Sequence, residues 1–313
     1  MKSIVALAGG VGAARFLDGL VRLVPPRALH IICNTGDDAE IHGLHVSPDI
    51  DTVLYTLAGL SDPGRGWGIS RDTFHCLERL GGLGAETWFQ LGDRDLATHL
   101  YRTERLRQGA TLSSVTRELA AAMGVKATVT PMSDQRLRTR ILTPRGGLEF
   151  QTWFVKRRSR DRVLQVRLAG AESARPAPGL LEAIRDASAI VVCPSNPIIS
   201  IGPILRVPGI REALRHAAAP IAAISPIVAG RALKGPAARM MKTMGLEASA
   251  RQVALLYRDF LDVFILDRAD ERQAGRIEAL GIRVVVADTI MTNLAHKKEL
   301  ARTVLSATGY AAR

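Results

Sequence analysis

The chain has 313 residues, 47% of them hydrophobic and only 4% aromatic, with 42 Lys and Arg against 30 Asp and Glu. That length and composition suit a large core of Ala, Val, Leu and Ile, as in a parallel sheet covered by helices, and no stretch approaches the roughly 20 apolar residues that span a bilayer. The formal charge of +12 is spread along the chain without a basic tail, which argues for anionic small molecules and against nucleic acid or membrane as partners.

Ile4 to Ala8 is an apolar run that stops at Gly9-Gly10, short of a signal peptide's apolar core. Phe16, Leu17, Leu20 and Leu23 then follow at helical spacing, and Ala28 to Cys33 is a second apolar run ending at Asn34. Strand, glycine turn, helix and strand in that order open a doubly wound, Rossmann-like α/β fold with its strands in parallel. Between residues 86 and 176 the character changes. Helical patterns near 93–106 and 111–123 precede short runs at 126–130, 136–142, 148–155 and 163–168 that read as antiparallel, with Arg145-Gly146-Gly147 as a hairpin turn. This predicts an inserted α+β subdomain over 86–176 and a nucleotide-binding core over 1–85 and 177–313. In the core, Ala189–Cys193, Ile221–Ile224, Val263–Leu266 and Val284–Ala287 read as buried strands. Helices are predicted near 208–217, 236–257, 270–280 and 293–307. Cys33, Cys76 and Cys193 are too few and too widely spaced for a disulfide framework or a Cys-x-x-Cys site, and a reducing, cytoplasmic setting is expected.

Five stretches carry chemistry. Gly9-Gly10-Val11-Gly12 lies between strand and helix, where backbone N–H groups and the helix dipole favour a phosphate. A tight packing turn has the same sequence signature. The dinucleotide pattern would need Gly where Arg15 stands, and the Lys of a Walker loop is absent. Asn34 to Thr52 holds Asp37, Asp38, Asp49 and Asp51 at the carboxyl edge of the second strand. Hard oxygen ligands there suit Mg²⁺, which takes one or two carboxylates and shares substrate phosphates. Asp49 and Asp51, next to Pro48, also read as helix-capping acids. His42 and His45 lack a third and fourth partner for zinc. In Leu91-Gly92-Asp93-Arg94, the Arg sits in a first helical turn against the dipole preference. That suggests an anionic partner or a local ion pair. Ser195 and Asn196, and Ser225 with Lys234, lie in loops directly after two buried strands and are candidate phosphate donors. The basic cluster from Lys156 to Arg162 reads as a solvated hairpin turn.

Taken together, AGGVGAARFLDGL, NTGDD, HGL, SPDIDTVLYTLAGL, WGISRDTF, LGDRDLATHL, PMSD, PSNPIISIGPIL, SPIVAGRALKGPA, DFLDVFILD and ADTIMT resemble the 2-phospho-L-lactate transferase family of coenzyme F-420 biosynthesis nearly end to end. The wording of GGVGAARF and GDDAEIHGL is similar to the family's bacterial branch. The resemblance implies a Mg²⁺-dependent homodimer. It would move a 2-phospholactyl or enolpyruvyl phosphate group from a guanosine diphosphate-linked donor to the ribityl hydroxyl of the deazaflavin Fo, releasing GMP. Asp37 and Asp51 would hold the metal, and Asp51 or Asp49 would take the hydroxyl proton. Gly10, Gly12, Asp38, Ser195, Asn196, Ser225 and Lys234 would bind the substrates, with Arg94 near the deazaflavin or the diphosphate. Trp67, Phe74 and Tyr55 are aromatic candidates for the acceptor's slot. Two alternatives stand beside this reading. One is a nucleotide-sugar-binding regulator of the same fold, and the other is a nicotinamide-dependent dehydrogenase.

Overall fold

A computed structural model describes residues 2–311. The chain runs β1 (Ile4–Ala8), α1 (Gly10–Leu20), β2 (Leu29–Cys33), a small hairpin of β3 (Ala39–Ile41) and β4 (Leu44–Val46), then α2 (Pro48–Leu57), α3 (His75–Gly82), α4 (Asp93–Arg107) and α5 (Leu112–Ala122). Next come β5 (Thr128–Pro131), β6 (Arg138–Thr143), β7 (Gly146–Glu149), a single π-helical turn (Thr152–Lys156), β8 (Gln165–Ala169), α6 (Leu180–Arg185), β9 (Ala189–Val192), α7 (Ile201–Arg206) and α8 (Ile210–Arg215). The last third holds β10 (Ile221–Ile224), a hairpin of β11 (Ile227–Val228) and β12 (Arg231–Ala232), α9 (Ala237–Thr243), α10 (Ala250–Tyr257), β13 (Val263–Asp267), α11 (Ala274–Glu278), β14 (Arg283–Ala287) and α12 (Leu294–Ala307).

Seven strands form one parallel sheet in the order β14-β13-β10-β9-β1-β2-β5. Strand alternation divides the core cleanly in two. Val5, Leu7, Ile190, Val192 and Phe264 point to one face, where α6 to α11 and the antiparallel sheet β7-β6-β8 pack. Ile4, Ala6, Ala8, Val191 and Ile265 point to the other, under α1, α2, α5 and α12. Both faces are covered, which is why the strands read as unbroken apolar runs in place of an apolar–polar alternation.

The sequence order reverses between β1 and β9: the chain first builds outward through β2 to β5, then returns and builds through β10, β13 and β14 on the other side. The loops leaving β1 and β9 diverge there, and a crevice opens at the carboxyl edge. Three predicted features differ from the observed fold. Residues 126–130, read as antiparallel, form the parallel edge strand β5 beside β2, with α5 packed on the same core. The run 148–155 leaves the β6–β7 hairpin at Glu149 and turns helical, because Phe150 and Trp153 are buried against the sheet at helical spacing. The predicted 236–257 helix is two helices, broken at Gly245 with φ +76° and restarted by Ser249, whose hydroxyl caps the Gln252 amide.

Candidate active site

At the switch point lies a cleft of about 700 Å³, walled by the start of α1, the loops after β2, β9, β10 and β14, the first turns of α2, and α4. Its floor is acidic. Asn34 closes β2 and folds its side chain into the following turn, accepting from the Gly36 amide at 2.8 Å. Its amide nitrogen donates to Asp49 Oδ2 at 2.8 Å and to the Ile199 carbonyl at 3.2 Å. Asp37 and Asp49 both line the cleft and both are buried. Burial pushes the Asp37 carboxyl well above the usual range, and the Asp49 charge adds to the rise. Burial likewise pushes Asp49 up to about 7, against hydrogen bonds from Asn34 and the Gly10 backbone that favour its charged form. Asp37 Oδ1 is buried with no hydrogen-bond partner among the described residues.

Asp51 lines the same cleft from the same helical turn as Asp49 but is differently placed. The fully buried Arg102 grips both its oxygens. Nη1 donates to Oδ2 at 3.1 Å and Nη2 donates to Oδ1. Burial works against the Arg102 charge, but the Asp51 carboxylate outweighs it and holds the guanidinium protonated. Nη1 also donates to His99 Nδ1 at 3.3 Å, so the His99 proton sits on Nε2. Nε2 lies 3.1 Å from Asp95 Oδ1, and the same Asp95 oxygen accepts from the Tyr55 hydroxyl at 2.6 Å. Asp38 is buried behind the cleft lining, where its Oδ2 accepts from Ser47 at 2.9 Å and pairs with His45 Nε2 at 2.9 Å.

The glycine turn is held by packing as well as by any ligand. A Cβ on Gly12 would stand 2.2 Å from the Pro194 carbonyl, and one on Gly9 would stand 2.6 Å from the Ser200 side chain and 2.8 Å from Asp49. Gly10 has φ +71°, which favours glycine. The Gly9 amide donates to Ser195 Oγ at 3.4 Å, tying the β1 and β9 loops together. Asn196 accepts from the Ile198 amide through Oδ1, while its Nδ2 has no partner among the described residues. Ser225 also lines the cleft, but its hydroxyl is engaged within its own turn, donating to the Ile227 carbonyl at 2.7 Å.

At the mouth, Arg15, Arg65 and Lys234 form a cationic rim. Lys234 Nζ donates to the Arg65 carbonyl at 3.2 Å, and partial burial followed by the Arg15 charge lowers its pKa. Arg65 lies over the Trp67 ring at 5.0 Å and the Phe74 ring at 5.4 Å. Trp67, Phe89, Phe150 and Phe154 give the cleft its apolar wall, with Phe150 and Phe154 stacked at 5.3 Å.

Of the residues singled out in sequence, Gly10, Gly12, Asp37, Asp49, Asp51, Ser195, Asn196, Ser225 and Lys234 meet in this cleft. Arg94 does not. It is exposed on α4 outside the lining, and its amide donates to Asp72 Oδ1 at 2.8 Å. Trp67 and Tyr55 line the cleft, whereas Phe74 faces the neighbouring depression with His75 and Leu77. Arg15, Asn34, Arg65, His99 and Arg102 escaped sequence reasoning. The only trace of the last two is their three-residue spacing on a helix otherwise rich in solvated charges. The basic run Lys156–Arg162 borders a separate open groove, not this cleft.

Fold and site together define a doubly wound α/β protein whose ligand cleft, acidic at the floor and cationic at the rim, stands at the sheet's switch point. The chain belongs to the 2-phospho-L-lactate transferase family, whose sequence model matches residues 4–307, and is a transferase of coenzyme F-420 biosynthesis. It is 43% identical to a phosphoenolpyruvate transferase of Kitasatospora aureofaciens, over 97% of each chain. It is 40% identical to a 2-phospho-L-lactate transferase of Methanosarcina mazei, over 97% of this chain and 100% of that one. Among solved structures, a UPF0052 family protein of Bacillus halodurans superposes with a TM-score of 0.62 at 18% identity, covering 97% of this chain and 98% of that one, which shows the shared fold. Among the described residues no helix is long and apolar enough to cross a membrane.

Proposed function

We propose that the cleft joins a guanosine diphosphate-linked acid, 2-phospholactyl or enolpyruvyl, to the ribityl hydroxyl of Fo, and that it does so with Mg²⁺. The ribityl oxygen forms a bond to the phosphorus that bears the acid. The bond from that phosphorus to the bridging oxygen breaks, and GMP leaves with the electron pair. Transfer of this kind needs positioning and charge neutralisation more than covalent help.

The observation that carries the reading is the Asp37–Asp49 pair. Two carboxylates buried in one cleft, one with an unpartnered oxygen, are costly without a cation. Among the described residues no three His, Cys, Asp or Glu side chains cluster to seat a metal by themselves. Two carboxylates, with substrate phosphates completing the shell, match the habit of Mg²⁺. When bound, Mg²⁺ would neutralise the diphosphate and the charge that develops on its bridging oxygen. Asp37 and Asp49 would hold it, Asn34 fixes the orientation of Asp49, and Asp51, which lines the same cleft and keeps a lone pair on each oxygen beside Arg102, accepts the hydroxyl proton. The α1 N-terminus at Gly10 and the free Asn196 Nδ2 donate to the nucleotide phosphates, which Arg15, Arg65 and Lys234 attract. Trp67, Phe89 and Phe154 offer a flat apolar surface to the deazaflavin.

Titration of the purified protein with Fo, followed by fluorescence, tests the acceptor assignment, with NAD and NADP as controls. The expected result is saturable Fo binding and no nicotinamide binding. Tight nicotinamide binding without a response to Fo would overturn it.

A further inference from the structure

We infer that Arg102 decides which carboxylates face the cation: by clamping Asp51 it leaves the seat to Asp37 and Asp49 alone. The inference deepens the proposed function and rests on its reading that the cleft binds a divalent cation.

Asp49 and Asp51 share the first turn of α2, and both line the cleft with Asp37. Three buried acids in one cleft would give a cation a three-carboxylate shell and would repel a diphosphate. Arg102 prevents this. It lies 51 positions away on α4, is fully buried, and meets both Asp51 oxygens in a fork, so a cation at Asp51 would have to share an oxygen with the guanidinium. A guanidinium suits this work because its paired donors match the two carboxylate oxygens, which a lysine's single ammonium does not. The clamp is itself braced. Arg102 Nη1 also donates to His99 Nδ1, and its 3.5 Å approach to the His45 carbonyl ties it to the β4 strand. Arg102 lies outside the cleft lining, so it is a positioning residue acting through Asp51.

The test is Mn²⁺ binding to the full chain, by calorimetry or electron paramagnetic resonance, with the metal alone as probe. Four proteins are compared: wild type, Arg102→Gln, the double variant Asp51→Asn/Arg102→Gln, and Asp49→Asn. Freed from its clamp, Asp51 supplies a third carboxylate, so Arg102→Gln should bind Mn²⁺ at least about fivefold tighter than wild type. A residue that merely held the fold together would weaken Mn²⁺ binding when removed, so the direction of change separates the two roles. The double variant replaces the ion pair by two amides, removes both buried charges, and should keep its Mn²⁺ affinity within about threefold of wild type. Asp49→Asn should lose about tenfold or more. If Arg102→Gln fails to fold, the double variant still decides. Its loss of tenfold affinity or more would make Asp51 a ligand and overturn the inference, as would weaker binding by a folded Arg102→Gln. Absence of Mn²⁺ binding by wild type would instead overturn the cation reading itself, and this inference with it.

Discussion

A carboxylate buried without a cation holds its proton, and that gives Asp49 a measurable signature. Its folded-state pKa, about 7, lies above the value of about 4 of an unfolded Asp. The folded protein therefore binds more protons than the unfolded one between these values, and metal-free stability falls as pH rises from about 4 through 7. Mg²⁺ seated on these oxygens, as proposed, would compete with the proton, so its stabilisation should grow over that window. The rise in melting temperature on adding saturating Mg²⁺ should be larger at pH about 8 than at pH about 5.5. A rise independent of pH would place the cation away from this pair. Asp37→Asn should leave the fold intact, because an amide fits the same buried space at no charge cost. Its rate should fall at least about a hundredfold, or about 2.7 kcal/mol of transition-state stabilisation. Steady-state assay of the variant at saturating Mg²⁺, checked against its melting curve, measures this.

The first β–α unit was legible in the sequence because strand and helix change hydrophobic period at a glycine pair. What those glycines accommodate was not. A phosphate is one neighbour the sequence suggested, but Gly12 also faces the Pro194 carbonyl, 2.2 Å from where a Cβ would stand. Gly12→Ala should push α1 away from the β9 loop and destabilise the protein by about 1–3 kcal/mol. It should also lower activity, since Asp49 and Ser195 are positioned against the same turn; thermal melting and turnover of the variant measure both effects. The parallel pairing of β5 escaped prediction, though its run did not, because an edge strand of four residues, Thr128–Pro131, has too short an alternation to distinguish parallel from antiparallel pairing. Arg102 escaped because nothing local marks it. It stands among Arg105 and Arg107 on a helix of low overall hydrophobicity, and only packing across 51 residues reveals that it is buried while they are not. Arg94, prominent in sequence, is exposed on α4 outside the cleft lining. Its placement against the helix dipole is met by Asp72, which accepts from the backbone amides of both Arg94 and Asp95.

At the scale of the molecule, the four acids of the acidic loop stood out in sequence because a basic protein has no evident packing reason to gather them at one strand end, and Asp37, Asp49 and Asp51 line one cleft. The division of labour among them depends on partners from α4 and the β9 loop, which sequence proximity does not reveal. The surplus of positive charge has a ready use in the rim of Arg15, Arg65 and Lys234 over the cleft proposed to take the diphosphate. It should not confer nucleic-acid binding. A gel shift at about 200 mM salt should show no complex, since phosphate contacts alone weaken steeply there.

Turnover with product mass analysis tests the central claim most directly. The protein is incubated with Fo, Mg²⁺ and each guanosine diphosphate-linked acid in turn, with a parallel sample in excess chelator. The expected result is GMP release together with a product whose mass is Fo plus the phospho-acid group of the donor supplied, and no product with chelator. Recovery of Fo unchanged with every donor, or full product formation in chelator, would contradict it.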